Sequence, residues 1–299
     1  MNVFYSIYIV MAKIRTFSFL ITLLIAISCD KEIEGPEDIT IDVSACTPGL
    51  DDNKLDIITW NIQNFPLDAN TPEYLDDIIV TLNADVIAIQ EVASPFALSA
   101  VIGKLQNWEG KIYSQGDHKL GFLYDSTKVH LSEIIVLFED NTNAFPRPAV
   151  QAYATHKKSG EEVTLINVHL KCCNGEGNEQ RRESAISALK GYIDGFLPNE
   201  KVVLLGDFND VLDAPEESNI FLPLISEPAK YIFADMEIAT GPSTEWSYPS
   251  HPSHLDHILV SNELFDNVNN VETINLEDCM PNYAEVISDH RPVLLSLDM

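Results

Sequence analysis

The sequence has few basic residues for its size. Of its 299 residues, 18 are Lys or Arg and 46 are Asp or Glu, which gives a formal net charge of −28. Proteins that coat nucleic acid gain affinity when Lys and Arg displace counterions from the phosphates. The shortage of cations therefore excludes a tight, non-specific DNA-coating protein. An acidic protein can still act on phosphates by recruiting a divalent metal ion, because the metal carries the positive charge.

The sequence also lacks internal repeats, low-complexity tracts and long hydrophobic runs. The apolar run over residues 17–27 is short, since a membrane-spanning helix needs about 20 consecutive apolar residues. Hydrophobic residues still make up 45% of the chain. That content is enough to bury a sizeable core, as one large α/β domain or two small ones.

The amino terminus has the pattern of an export signal. Lys13 and Arg15 precede the apolar run, and small residues lead into Cys29, which is the order of regions in a signal peptide. Residues 24–29 (LIAISC) resemble a bacterial lipoprotein signal, and the acidic residues that follow resemble the export tag of surface lipoproteins. The resemblance implies a signal peptide over 1–28, a lipid anchor at Cys29 and an outer-membrane location in the cell envelope. The alternative is an ordinary secretory signal, and translation can start at Met1 or Met11.

The segment after Cys29 predicts a tether rather than a folded unit. Residues 29–54 are acidic and turn-rich, so we expect a flexible linker there and a folded domain over 55–299. Four cysteines follow Cys29, namely Cys46, Cys172, Cys173 and Cys279. They allow three disulfide pairings, and the sequence does not choose among these or exclude free thiols.

Apolar periodicity predicts strands that alternate with helices at both ends of the domain, with hairpins between. The predicted strands cover 55–60, 85–90, 120–124, 129–138, 150–156, 163–170, 202–205, 255–260 and 292–297. Three helices are predicted: one begins near Thr71, one begins near Ser94, and one covers 179–193. This order favours mixed sheets with helices packed outside.

Chemically active side chains follow several of these strands. The motif Gly206-Asp207-Phe208-Asn209-Asp210 comes directly after the apolar run 202–205, and the carboxyl ends of core strands are where α/β proteins build their sites. The remaining candidates are Asn61, Glu91, His169, Asp256 and the pair Asp289-His290. Taken one at a time, each could be a turn, cap or structural residue, and Asp256 could pair with His254 or His257.

As a set, these residues match one kind of chemistry. Carboxylate and amide oxygens bind hard cations such as Mg²⁺, and Glu91 is a good candidate for such a ligand. Protonated imidazoles donate hydrogen bonds to phosphate, and each needs a carboxylate behind it. Hydrolysis of a phosphodiester further needs a base to activate water and donors for the developing charge. The set therefore predicts metal-assisted phosphoester hydrolysis.

The same positions resemble the signature blocks of the endonuclease/exonuclease/phosphatase superfamily. In order, the blocks are TWNI at 59–62, IQEV at 89–92, NVHL at 167–170, GDFN at 206–209, DHILVS at 256–261 and SDHRP at 288–292. The resemblance spans roughly residues 55–299. It implies a four-layer α/β sandwich of two packed mixed sheets flanked by helices, and a Mg²⁺- or Mn²⁺-dependent phosphoesterase that is a monomer by default.

The resemblance also implies roles, residue by residue. It assigns metal binding to Asn61 and Glu91 with Asp289 nearby, phosphate contact to His169 and His290, orientation of His290 to Asp256, water activation to Asp207, and transition-state stabilisation to Asn209. Two features depart from the DNA-repair members of the family. The tyrosine near the phosphate has no secure match, with Tyr124 and Tyr153 as candidates, and Arg147 is either a phosphate contact or a solvated loop residue.

Three functions fit these observations. The first is a nuclease or phosphodiesterase that acts on nucleic acid. The second is a phosphatase or phosphodiesterase for a small substrate such as a sphingolipid, an inositol phosphate or a nucleotide. The third is a surface binding lipoprotein with a dead site, against which the complete set of candidate residues argues.

Overall fold

The computed structural model describes residues 41–299, except residues 52, 114, 117 and 118. The predicted signal peptide, the lipidated Cys29 and the first part of the predicted tether lie outside the described residues. Within the described part, no helix is both long enough and apolar enough to cross a membrane.

The described chain forms two mixed β-sheets. In chain order the strands are β1 Lys54–Phe65, β2 Val86–Val92, β3 Trp108–Ile112, β4 Lys119–Asp125, β5 Val129–Leu131, β6 Ile135–Leu137, β7 Ala149–His156, β8 Glu162–His169, β9 Val202–Asp207, β10 Tyr231–Phe233, β11 Asp256–Ser261, β12 Val268–Thr273 and β13 Val293–Asp298. One sheet has the order β12-β13-β1-β2-β4-β3, and the other has the order β10-β11-β9-β8-β7-β5, with β6 also paired to β7.

Helices cover the outer faces of the two sheets. They are α1 Thr71–Leu82, α2 Pro95–Ile102 and α3 Glu176–Phe196, together with the short helices α4 Leu222–Ile225, α5 Met236–Ala239 and α6 Tyr283–Val286. The start of α1 carries Pro72 in its first turn, where a missing amide hydrogen costs nothing. Ser94 caps α2, because its hydroxyl accepts from the backbone N–H of Ala97 at 3.2 Å.

Three apolar cores separate the four layers, and β9 shows how the sequence builds them. Val203 and Leu205 belong to the core between the sheets, whereas Val202 and Leu204 belong to the core under α3. Alternate residues of a strand face opposite sides of the sheet, so a strand buried on both faces reads as a continuous apolar run. The third core lies between the first sheet and α1 and α2. The predicted four-layer sandwich is confirmed.

The domain includes more of the amino-terminal segment than the sequence indicates. Val43 is fully buried, and the backbone N–H of Ile41 donates to Asp77 Oδ2 at 3.0 Å. Cys46 forms a disulfide with Cys279 across 233 residues of sequence. The segment from Ile41 to Cys46, which we expected in a flexible linker, therefore packs on the domain. Cys172 and Cys173 are free thiols.

The strand boundaries differ from the prediction mainly at the sheet edges. The predicted strand over 129–138 is two short strands, β5 and β6, which both pair with β7. The edge strands β3, β10 and β12 were not predicted. In β3 (WEGKI) every residue is at least partly exposed, so the apolar alternation that marks a half-buried strand is missing.

Candidate active site

The topology brings the predicted strand ends to one edge of the sandwich. Strands β1 and β2 run parallel in one sheet, and β8 and β9 run parallel in the other. The carboxyl ends of β2, β8 and β9 carry Glu91, His169 and Asp207, and Asn61 lies in β1 where its regular pairing with β2 ends. Asp256, at the start of antiparallel β11, is the direct register partner of Asp207. The loop before β13 adds Asp289 and His290, so all of these residues meet at one end of the molecule.

Asp207 lies at the centre of the cluster and is 1% exposed. Its Oδ2 accepts from the Asn61 amide at 3.0 Å and lies 3.4 Å from His169 Nε2, and its Oδ1 accepts from the backbone N–H of Asn209 at 2.9 Å. Burial, opposed by His290 and reinforced by Asp256, raises the pKa of Asp207 to about 7. A carboxylate with that pKa is matched to proton abstraction near neutral pH.

His290 and Asp256 form a buried acid–imidazole pair. His290 Nδ1 lies 2.7 Å from Asp256 Oδ2, which leaves Nε2 to face a ligand. Burial alone would lower the pKa of His290, but the Asp256 carboxylate outweighs it and raises the value to about 10. The imidazole is therefore protonated and donates hydrogen bonds at neutral pH. The ligand atoms of Asp207, Asp256 and His290 all lie within 4.8 Å of one another.

Glu91 and Asp289 form the acidic side of the site. Glu91 adopts a left-handed backbone with φ of 61°, and its Oε2 accepts from the backbone N–H of Asn64 at 3.0 Å. Glu91 Oε1 lies 3.3 Å from the Asn61 amide nitrogen and 3.7 Å from His169 Nε2. Burial, with the Glu91 charge as a further cause, raises the pKa of Asp289. These two carboxylates are thus close enough to repel each other.

This acidic side fits a divalent cation. Carboxylate and amide oxygens are the ligand type that Mg²⁺ and Mn²⁺ take, and a cation would relieve the repulsion between Glu91 and Asp289. The Asp256 Oδ1 atom is buried with no hydrogen-bond partner among the described residues, a further sign that the site is built around a positively charged or donating ligand. The Asn61 amide nitrogen faces the carboxylates, so a half-turn of the amide would present its oxygen to the cation.

Buried polar side chains between the two sheets fix the positions of the strand ends. Asn167 of β8 donates to the backbone carbonyls of Ile89 at 3.0 Å and Gly121 at 2.9 Å, both in the opposite sheet. Gln90 donates back to Asn167 Oδ1 at 2.8 Å. These residues flank Glu91 and His169 in sequence. Because the hydrogen bonds cross the core, they hold Glu91 of one sheet and His169 of the other in a fixed relation.

Arg147 is partly buried and binds backbone carbonyls, so it is not the solvated loop residue that was one alternative. Its Nε donates to the carbonyl of His169 at 3.1 Å, and its Nη2 donates to the carbonyl of Leu170 at 2.5 Å. Burial lowers the pKa of this guanidinium, while Asp207 and other acidic groups oppose that effect. Arg147 thus supports the end of β8 from behind His169.

Tyr248, which was not predicted from the sequence, lies beside His290. Its ring centroid lies 4.8 Å from that of His290, and it stacks on His251 at 5.9 Å. Burial first, and then the acidic groups Asp289 and Asp207, raise the pKa of its hydroxyl. Tyr124, one of two tyrosines considered from sequence, instead donates to Glu109 at 2.6 Å. An aromatic residue eight positions before Asp256 was the available signal for Tyr248.

A second buried trio lies behind the site. Asp235 Oδ2 contacts His257 Nδ1 at 2.6 Å and His254 Nε2 at 3.0 Å. His257 Nε2 contacts the carbonyl of Asp210 at 2.9 Å, just after the GDFN block. The pairing of Asp256 with His254 or His257, which sequence left open, is therefore wrong, because Asp235 binds both histidines and Asp256 binds His290.

A sandwich of two mixed sheets, with acids and histidines gathered at one edge, is the architecture of a phosphoesterase fold. A sequence model of the Endonuclease/Exonuclease/phosphatase family matches residues 58–290. The chain belongs to this family, whose members are divalent-metal-dependent phosphoester hydrolases. A search of curated proteins by sequence gave no match.

Solved structures share the fold at low sequence identity. A humanized TDP2 from D. rerio is 16% identical over 83% of this chain and 100% of its own, with a TM-score of 0.65. A family protein from Bacteroides vulgatus is 15% identical over 82% of this chain and 99% of its own, with a TM-score of 0.62. The 3′ phosphatase NExo from Neisseria, bound to a product DNA hairpin, is 19% identical over 82% of this chain and 100% of its own, with a TM-score of 0.61.

Proposed function

We propose that this protein is a metal-dependent nuclease, which hydrolyses phosphodiester bonds with an activated water molecule. The observation that carries the proposal is the position of Asp207. It is a buried carboxylate with a pKa near 7, held between the amide of Asn61 and the imidazole of His169 and facing the protonated His290. A base and two imidazole donors at one point are the groups that phosphoester hydrolysis requires.

In the proposed mechanism each side chain has one task. Asp207 takes the proton of the attacking water, and Asn61 holds its Oδ2 in place. His290 donates from Nε2 to a phosphoryl oxygen, and Asp256 keeps it protonated. His169 and the Asn209 amide donate to the remaining oxygens as charge develops. A divalent cation held by Glu91 and Asp289 would polarise the phosphoryl group when bound. Asn61 would join these ligands only after its amide turns and releases Asp207 Oδ2.

Nucleic acid is the substrate class that the comparisons favour. The neighbouring structures include D. rerio TDP2 with a single-stranded DNA product and NExo with a product DNA hairpin. The second candidate is a phosphatase or phosphodiesterase for a small substrate, and the net charge of −28 supports it. A polyanion approaches an acidic protein against electrostatic repulsion, whereas a small phosphoester does so at lower cost.

One set of assays separates these candidates. The full chain, with Mg²⁺ or Mn²⁺, is offered plasmid DNA, RNA, sphingomyelin and bis-p-nitrophenyl phosphate, and chelation with EDTA should abolish the activity in each case. We expect cleavage of nucleic acid, with losses of at least about 100-fold in His290→Ala and Asp207→Asn. Asp213→Asn, an exposed carboxylate on the following loop, is the matched control. Activity on none of the substrates would contradict the proposal and would support a binding protein with a dead site.

We also propose that Cys29 is lipidated and anchors the protein to the outer membrane. The support is the resemblance of residues 24–29 to a lipoprotein signal. Metabolic labelling with a fatty acid should mark the wild-type protein and not Cys29→Ser. An unlabelled mature wild-type protein would contradict the proposed lipid anchor and would support an ordinary secretory signal.

A further inference from the structure

Two adjacent thiols lie on the loop that leaves the active site. Cys172 and Cys173 follow His169 by three and four residues, and their sulfur atoms are 2.9 Å apart. Cys173 is exposed and Cys172 is partly exposed, so small reagents can reach them. The proposed hydrolytic mechanism uses neither thiol.

The backbone around the two thiols is fixed by charged side chains. The buried guanidinium of Arg182 donates from Nη1 to the carbonyls of Lys171 at 2.9 Å and Cys173 at 3.1 Å. Its Nε is held by Asp210 at 2.8 Å. The backbone of Cys173 has φ of 78°, a left-handed conformation that residues other than glycine rarely adopt. The surrounding contacts therefore impose a conformation that places one sulfur against the other.

A cation also stands beside the first thiol. Lys171 Nζ lies 3.5 Å from Cys172 Sγ. Although burial alone would raise it, the contact with Cys173 and the nearby Lys171 ammonium lower the pKa of the Cys172 thiol. The thiolate is the form that reacts with oxidants. The same chain contains a disulfide between Cys46 and Cys279, and disulfides persist in oxidising environments. Oxidation of a second cysteine pair is compatible with such an environment.

From this geometry we propose that Cys172 and Cys173 form a reversible redox site, which two-electron thiol oxidants such as hydrogen peroxide convert to a vicinal disulfide. The Cys172 sulfur attacks one peroxide oxygen, the O–O bond breaks, and the departing hydroxide takes up a proton to become water. The Cys173 sulfur then displaces the second oxygen as water and the S–S bond forms. Two electrons pass from the thiols to the peroxide, and an external dithiol returns them.

The sequence provides a direct measurement of this reaction. Trypsin cleaves after Lys171 and Arg181, so one peptide, CCNGEGNEQR, contains both thiols and no other cysteine. After the full chain is treated with hydrogen peroxide and the remaining thiols are alkylated, this peptide should be two hydrogen masses lighter and carry no alkyl group. Dithiothreitol before alkylation should restore two alkylation sites. Peptides that stay fully alkylatable after peroxide, or that appear only in cross-linked dimers or as sulfinic acid, would overturn the proposal.

A consequence for the active site can be tested separately, and it rests on the proposed function. In the reduced state Lys171 Nζ contacts both the carbonyl of Cys172 at 3.1 Å and its sulfur at 3.5 Å. Formation of the S–S bond removes the second contact and leaves this cation freer to reach the substrate phosphates. One exposed charge interaction changes affinity by roughly threefold, so oxidation should lower the KM for an oligonucleotide by about that factor without changing kcat. Cys172→Ser/Cys173→Ser, treated identically, should show no change. An equal change in that variant would assign the effect to another oxidisable side chain and contradict this consequence. The peptide measurement does not depend on activity, so it stands apart from the proposed function.

Discussion

Replacing Asp207 by asparagine should abolish activity and make the protein more stable. The carboxyl is 1% exposed, and folding raises its pKa from 3.8 to about 7. A carboxyl whose pKa is raised in the folded state destabilises the fold at pH values above its unfolded pKa, because the folded state binds its proton more tightly. This cost is absent below about pH 4, grows as the pH rises, and is complete above about pH 7.

The size of the effect follows from the shift. At about 1.4 kcal/mol per unit, a shift of this size destabilises the fold by about 4 kcal/mol above pH 7 and about 2 kcal/mol at pH 5. Asparagine keeps one acceptor oxygen but loses the other, and one lost hydrogen bond to a buried donor offsets about 2 kcal/mol. The net expectation for Asp207→Asn is a gain of about 2 kcal/mol near pH 7.5 and almost none at pH 5.

The measurement is urea unfolding of both proteins in EDTA at the two pH values, with thermal unfolding as a second readout. A gain of about 2 kcal/mol corresponds to a rise in Tm of roughly 4–8 °C for a domain of this size. Asp213→Asn should show no such pH-dependent gain. Two results would refute this reasoning: Asp207→Asn is no more stable than the wild type at pH 7.5, or it gains equally at pH 5. Either would show that the buried Asp207 carboxylate does not destabilise the folded protein.

Three further predictions follow from the same contacts. Asp256→Asn removes the negative charge that raises the pKa of His290 to about 10, so kcat/KM should fall as pH rises through about 7 rather than remaining high to about pH 9. Tyr248→Phe should change the pH profile little but raise KM a fewfold, because the ring stays against His290 while the hydroxyl near Asp289 is lost; an unchanged KM would place Tyr248 outside the substrate site. Cys46→Ser should lower the free energy of unfolding by about 3 kcal/mol and leave kcat unchanged in native conditions, which denaturant unfolding and steady-state kinetics check.

The sequence predicted the fold class because its strands are buried on both faces. Runs such as Val202–Leu205 are continuous in apolar residues and short, and helices with one apolar face alternate with them. Edge strands lacked this signal. In β12, Val268–Thr273, most residues are partly or fully exposed and the strand contains two adjacent asparagines, so its partner β13 rather than its own sequence makes it a strand.

The candidate site shows the same division. Strand-end residues such as Glu91 and Asp207 could be found because they interrupt apolar runs at the position where α/β proteins place their chemistry. Tyr248 and the pairing of Asp235 with His254 and His257 could not, because they depend on how the loop over residues 243–254 folds back. The contacts of Arg147 with the carbonyls of His169 and Leu170 were not among the two alternatives considered for it, since no side-chain pattern reveals backbone partners.

The disulfide between Cys46 and Cys279 also determines how the domain carries mechanical load. A pull on the chain from the side preceding Cys46 reaches the disulfide before it reaches β1, which begins at Lys54. Force then passes across a covalent bond to Cys279, and β1 is not peeled from β13 and β2. Strand β1 carries Asn61, so the bond keeps tension off the candidate active site and passes it to Cys279, which packs against the core under α1 and α2.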